Sequence, residues 1–391
     1  METHDLSRRD FLKAAGVTAG ALAATALLPG TAEADQKPSG YKTKHVIFVA
    51  LAGGVRAREY LGMANNAPNI HKIIQQGCVI PATQVANLGH YAAALAMFTG
   101  VPENMGIREN QRGDYPTIFE YLRKQKGLPG KEVWLSASGG AQQLNIAYSL
   151  DSDHGQKYGA NLVSSDGIFN AEFKEIVDAF GRPELPNDDD AKTLSEIRAA
   201  MDAELATRVK DGNAMNDAET ARKVESFILS EISKNTTRLT GPGAEDVKTL
   251  RVGMNIMRIF RPTFMGFMLT NADVAHGSYN AYVEVVRRND DEIGAIWRAV
   301  QADPELKDST TIMICPEFGR DKDLNQRNGL DHGDGSNDLN HVAMVAAGPD
   351  FKKNQVIQNA WRSYDACATI GQLLGVKPER SKGKAIKDLF A

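Results

Sequence analysis

The sequence predicts an α/β protein: a doubly wound, mostly parallel sheet flanked by helices, with a helical insertion. Three observations carry this. Short apolar runs rich in β-branched residues recur, each closed by glycine or a polar turn, as strands buried on both faces require. Helix-patterned segments alternate with them, the order that builds parallel βαβ units. The 391-residue chain is 42% hydrophobic and 24% charged, enough to bury a large core. That composition excludes disordered, collagen-like and coiled-coil classes.

At the N-terminus, Arg8-Arg9 with Asp10-Phe11-Leu12-Lys13 precedes a weakly apolar stretch from Ala14 to Leu28. Ala32-Glu33-Ala34 then supplies an A-x-A cleavage site. Together they read as a twin-arginine signal over residues 1–34. The Tat translocase is thus the expected partner in export, and the mature chain is periplasmic or secreted. Residues 35–43 form a polar linker, and 44–391 form the α/β domain.

Within that domain His45–Leu51 is a buried strand ending in Ala52-Gly53-Gly54. Asn69–Gly77 has a helical pattern, stopped by its glycine. Val79-Ile80 opens a second strand, Tyr91–Phe98 and Thr117–Lys124 read as helices, and Glu132–Ser136 as a strand. Residues 186–260 are dominated by helix formers, broken at Gly212-Asn213 and Gly241-Pro242-Gly243. They are expected to form an insertion on the α/β core, or else helices that flank the sheet. The alternation resumes with the strand Phe264–Leu269, a helix over Val283–Val300, and the strands Thr310–Cys315 and Val342–Ala347.

A formal net charge of −4 shows no basic excess, so no nucleic-acid partner is expected. Beyond the signal no run of about 18 apolar residues occurs, so no membrane span is expected in the mature chain. Cys78, Cys315 and Cys367 are too scattered for a disulfide scaffold or a zinc ribbon. Open α/β sheets bind ligands beyond the carboxyl ends of their strands. Those positions carry Asn87 and His90, Asp273 and His276, Glu317 and Arg320, Asp331 and His332, while His341 precedes the last strand. Imidazole with carboxylate suits a divalent metal, zinc foremost, with manganese, calcium or iron also open. Asp273, His276, His332, Asp331 and His341 are the candidate ligands. Asp153-His154-Gly155 echoes Asp331-His332-Gly333 but lacks a clear preceding strand, so His154 is expected to bind nothing.

In their order these segments resemble the alkaline phosphatase-like superfamily, which includes sulfatases, phosphodiesterases and cofactor-independent phosphoglycerate mutases. His45 to Arg56 is similar to its opening strand and Asp-Gly-x-Arg turn. Ala67-Pro68-Asn69-Ile70, then Gly77, resembles its first helix. Gly89-His90-Tyr91 and Thr99 to Ile107 resemble its nucleophile segment, and Pro116 to Leu122 the helix after it. Asp273-Val274-Ala275-His276 resembles the metal-binding Asp-x-x-x-His element, one residue shorter. Asp290 fits a position the family often fills with Asp, and His332-Gly333 resembles the last metal histidine.

Three departures matter. The family's first metal Asp would fall at Ala52, its Asp-His pair at Glu317-Phe318, and its nucleophilic hydroxyl at Ala86. The resemblance therefore implies one intact metal site, through Asp273, His276 and His332, and one altered site. It is closer to an exported branch that has Gly-Gly in place of the first Asp. Glu317 is the expected oxygen ligand or general base, and His90 an acid, base or ligand. Asn87 would donate to a phosphoryl or sulfuryl oxygen, and Arg56 and Arg320 would pair with an anion. Two function classes follow. One is an extracytoplasmic metal-dependent hydrolase of small anionic phosphate or sulfate esters. The other is a catalytically inactive homologue that binds an anionic ligand, a glycan or a protein partner.

Overall fold

The computed structural model describes residues 40–103, 112–139, 145–164 and 239–391. The expected signal peptide, most of the expected linker and residues 186–238 of the expected insertion lie outside them. Arg258–Phe260 apart, the described residues belong to one unit.

Eight strands form one sheet: β1 (His45–Leu51), β2 (Cys78–Gln84), β3 (Val133–Ala137), β4 (Asn161–Ser164), β5 (Phe264–Leu269), β6 (Thr310–Pro316), β7 (His341–Ala347) and β8 (Gln355–Val356). Their order is β4-β3-β5-β1-β6-β7-β2-β8. β1 pairs in parallel with β5 and β6, Val49 lying opposite both Phe267 and Ile314. Its interior residues are buried, as the apolar run predicts. β7 alone runs against its neighbours. The 317–340 segment stays at the carboxyl edge of β6, so β7 starts at that edge and returns.

Helices cover the sheet. α1 (Pro68–Gln76) begins with proline, and its free amides are met from a distant element. The Asp290 carboxylate accepts from Asn69 N at 3.0 Å and Ile70 N at 2.7 Å. α2 (His90–Thr99) is apolar between its polar ends, and Gly100 closes it at φ 74°. α3 (Ile118–Lys126) starts with a Thr117–Glu120 capping box. α4 (Ala244–Phe260) is the carboxyl-terminal part of the segment expected as an insertion. It lies against the sheet: Ser136 of β3 donates to Thr249 O, and a Cβ at Gly253 would strike the Phe267 ring at 2.1 Å. α5 (Tyr279–Ala302) starts four residues before the expected Val283, because the Ser278 hydroxyl caps it by accepting from Ala281 N. α6 (Asp365–Leu374) is the last of the longer helices; Ala57–Tyr60 and Asn337–Asn340 form single turns. Phe48, Phe98, Phe119 and Phe264 join sheet and helices in one aromatic row, with successive centroids 5.2–5.3 Å apart.

Candidate metal centre

β1, β5 and β6 are adjacent and parallel, so their carboxyl ends bring three loops to one place. After β5 a 3-10 turn (Asn271–His276) presents Asp273 and His276. The loop after β6 contributes Glu317, Arg320, Asp331 and His332, and the first residue of α2 is His90. Donor atoms of His90, Asp273, His276 and His332 lie within 4.8 Å of one another. Phe318, fully buried, packs against both His90 and His332, with centroids 4.8 and 5.0 Å away.

Two carboxylates stand one hydrogen bond behind this group. Glu317 Oε1 meets His90 Nδ1 at 2.5 Å, and Asp331 Oδ1 meets His276 Nδ1 at 2.6 Å. An ionised carboxylate only accepts, so each Nδ1 carries the proton. The Nε2 atoms then face inward, His90 Nε2 at 3.0 Å and His276 Nε2 at 3.4 Å from Asp273 Oδ1. Carboxylate–histidine pairs of this kind fix the tautomer and orientation of metal-ligating imidazoles. The donor set thus fits a divalent ion, with Asp331 and Glu317 placed to orient ligands.

The Gly53-Gly54 turn, where the resemblance implied an acid, has a physical counterpart in Arg320. A Cβ at Gly53 would meet Thr270 O at 2.5 Å. Gly54 has φ 67°, and a Cβ there would meet Arg320 Nε at 2.8 Å. The Arg320 guanidinium is fully buried. It donates to Gly53 O at 2.5 Å, Gly54 O at 3.3 Å and Asp273 Oδ1 at 2.6 Å, and lies 3.1 Å from His276 Nε2. Two backbone carbonyls and a fixed organic cation therefore occupy the side of the cluster where acidic ligands are missing.

Charges follow from this packing. Burial lowers the His90 affinity for protons, but the Glu317 charge and the bonds to Asp273 and Glu317 carry its pKa up to about 10. Burial would raise Asp273, yet His90 and Arg320 hold it well below the carboxylate range. Burial raises Glu317, against the pull of His90 and Arg320. His332 falls to about 4 through burial and the charges of Arg320, His90 and His276. It is therefore neutral near pH 7, the form in which imidazole ligates metal.

Other candidates lie apart. Asn87 folds its own loop, its oxygen accepting from Gly89 N at 3.0 Å and its amide donating to Glu103 O at 3.3 Å. Arg56 is buried in a two-point pair with Glu59, and its remaining donors go to Asp321 O and Lys322 O. That leaves its guanidinium committed to protein groups. His341 opens β7 outside the donor cluster, and its Nδ1 is buried without a partner among the described residues. Glu317 takes His90 as its partner. His154 pairs with Asp151 at 2.8 Å, away from the cluster. Thr99 is buried at the end of α2, its hydroxyl donating to Leu95 O. Sequence reasoning missed Asp246, whose carboxylate accepts from Thr270 N, Asn271 N, Ser138 Oγ and Asn289 Nδ2 and so pins the turn that carries Asp273. Its only trace in the sequence is an acid in a helical first turn.

The described fold is found in several solved structures. The chain is similar to wild-type alkaline phosphatase PafA, with 9% identity, a TM-score of 0.56, and 94% of this chain and 100% of that chain covered. It is also similar to a protein in the alkaline phosphatase superfamily from Vibrio parahaemolyticus (11% identity, TM-score 0.50, 99% and 80% covered). A 2-O GAG sulfatase is a third likeness (11% identity, TM-score 0.50, 88% and 73% covered). These likenesses establish an alkaline phosphatase-like fold. Residues 5–29 match the TAT (twin-arginine translocation) pathway signal sequence, so the chain is exported by that route to the periplasm or beyond. No helix among the described residues is long and apolar enough to cross a membrane. No curated protein matches the chain in sequence.

Proposed function

We propose that the exported chain hydrolyses small phosphate or sulfate esters with one divalent ion, zinc foremost, held by His90, Asp273, His276 and His332. One observation carries the reading: two imidazoles each have Nδ1 fixed by a carboxylate and turn Nε2 to a shared point with Asp273 and a neutral third imidazole. When bound, the ion supplies Lewis acidity toward an ester oxygen and acidifies water. Arg320 adds a permanent positive charge on the other side of Asp273, where its buried guanidinium stands in for the second cation of a two-ion site. The chain offers no hydroxyl nucleophile at the expected place, since position 86 is alanine and Thr99 is buried. Water is therefore the nucleophile. An open groove lined by Gly243, Glu245, Thr270, Asn271 and Asp273 lies beside the cluster.

A second reading has its own observation. Arg320 and protonated His90 together satisfy Asp273 with no ion at all, which suits a binding protein that has lost its chemistry. Elemental analysis of the purified mature protein separates the two, together with turnover of aryl phosphates, phosphate diesters and aryl sulfates. About one ion per chain, with turnover that disappears in His276→Ala, supports the hydrolase. Stoichiometric metal without turnover on any ester supports the binding protein. Failure to take up metal on reconstitution removes the metal centre.

A further inference from the structure

A cavity of about 260 Å³ is lined by Gln84, Trp361, Arg362, Asp365, Lys382 and Lys384. Gln84 is the last residue of β2, which runs parallel to β1, so this cavity lies on the sheet edge that carries the His/Asp cluster. β2 stands two strands beyond β6, a lateral separation of roughly 10 Å. Its walls are tied to the cluster's own elements. Gln84 N donates to Trp361 O at 2.8 Å, and Ser363 N donates to Gln84 O at 2.9 Å. Lys382 N and Gly383 N donate to Gly100 O, the cap of α2, whose first residue is His90. A ten-residue helix spans about 15 Å.

The charge in this cavity is unbalanced. Arg362, Lys382 and Lys384 form no ion pair among the described residues, and all three are exposed. The one lining carboxylate, Asp365, is buried, and its oxygens accept from Lys384 N at 2.8 Å and Arg362 N at 2.9 Å. Its charge offsets part of the field of Arg362 and Lys384, which leaves the three cations in excess over one carboxylate. Glu103, which also faces Lys382, is pushed up to about 7 by burial. Three cations around one small cavity repel one another, and a tetrahedral oxyanion bound between them offsets that repulsion. Trp361, half-buried, adds a flat apolar wall, its indole N–H donating to Asp388.

We propose that this cavity binds a second, non-reacting sulfate or phosphate group of the substrate. This rests on the hydrolase reading and narrows it: the substrate is a multiply charged ester whose anionic groups stand roughly 10–15 Å apart, the reach set by strand spacing and helix length. The test is calorimetric titration of the metal-loaded mature protein with a heparin-derived tetrasaccharide and, separately, an α,ω-alkanediol bisphosphate long enough to span that distance. The triple variant Arg362→Ala, Lys382→Ala, Lys384→Ala is expected to weaken binding of at least one probe about tenfold or more. Its melting temperature should hold, because all three side chains are exposed. The single variant Lys384→Gln serves if the triple variant does not fold, with a smaller loss expected. An equal charge change at Lys42, Lys44 and Lys307, before β1 and β6 at the opposite edge, should leave affinity unchanged. The probe affected identifies the group as sulfate or phosphate. Unchanged affinity in the cavity variants, equal loss in the control, or no binding of either probe overturns the proposal. The readout needs no turnover, so a protein without hydrolase activity that still shows the cavity-specific loss refutes the hydrolase reading and leaves the anion site standing.

Discussion

Asp331 and Glu317 illustrate how a residue's type is legible in sequence while its role is not. Strand-end loops pointed to both acids, with Asp331 expected as a ligand and Glu317 as a ligand or base. Spacing along a chain cannot say whether a carboxylate reaches an ion or stops at the imidazole before it. Here each stops at an Nδ1. His90, Asp273, His276 and His332 stood out as candidates because the first opens a helix, the next two lie just beyond β5, and the last lies in the loop after β6. The burial of Arg320 was not legible, because it depends on two glycine carbonyls 266 and 267 positions away. Removing an orienting carboxylate typically costs 10- to 100-fold in metal affinity. Asp331→Asn is therefore expected to weaken zinc binding by about that factor, and His276→Ala to abolish it, while His154→Ala changes nothing. Chelator competition measures all three, and wild-type affinity in Asp331→Asn would show that its contact with His276 orients nothing.

Elements are held at this edge by buried acids that no motif announces. Asp246, in the first turn of α4, fastens the turn after β5. Burial raises its pKa to about 6 from an ordinary 3.8 despite four kinds of hydrogen-bond donor. The native state therefore binds more protons than the unfolded chain between about pH 4 and 6. Its contribution makes stability fall as pH rises through that window and stay level above it, by on the order of 3 kcal/mol. Asp246→Asn, which cannot ionise, is expected to lose that slope in urea unfolding measured from pH 4 to 7; parallel curves for variant and wild type would contradict it. Glu120 plays a similar part in α3. Besides capping the helix it accepts from Ser149 N, Ser149 Oγ and Gly155 N, and it is fully buried. Glu120→Ala leaves those donors unmet, each at about 1–3 kcal/mol. It should destabilise the fold by several kcal/mol in chemical denaturation without lowering metal content per folded chain. Metal loss in the folded fraction would tie Glu120 to the centre. The short strands β4 and β8 went unanticipated because four and two residues carry no period.

At the scale of the whole molecule, the central strands were legible because burial on both faces leaves continuous apolar runs, and the reversed β7 was not, because direction is set by where a loop travels. The address was the plainest signal of all. Residues 5–29 match a twin-arginine signal, built on Arg8-Arg9 and an h-region of low hydrophobicity. That route carries folded chains, which lets an ion be taken up in the cytoplasm before export, so export should depend on both the address and the core. Arg8→Lys with Arg9→Lys keeps the charge but removes the pair, and is expected to leave precursor in the cytoplasm. Phe264→Ala tests the other requirement. Phe264 is fully buried, with its ring 5.2 Å from that of Phe119, so truncation should cost about 3–5 kcal/mol. Both variants should lower the mature fraction recovered in the periplasm, the first with the precursor still folded and protease-resistant, the second with it protease-sensitive. Undiminished export of the Lys-Lys variant would mean that the weakly apolar stretch suffices for the general secretory route. Undiminished export of a protease-sensitive Phe264→Ala precursor would mean that the chain crosses unfolded and acquires any metal outside the cytoplasm.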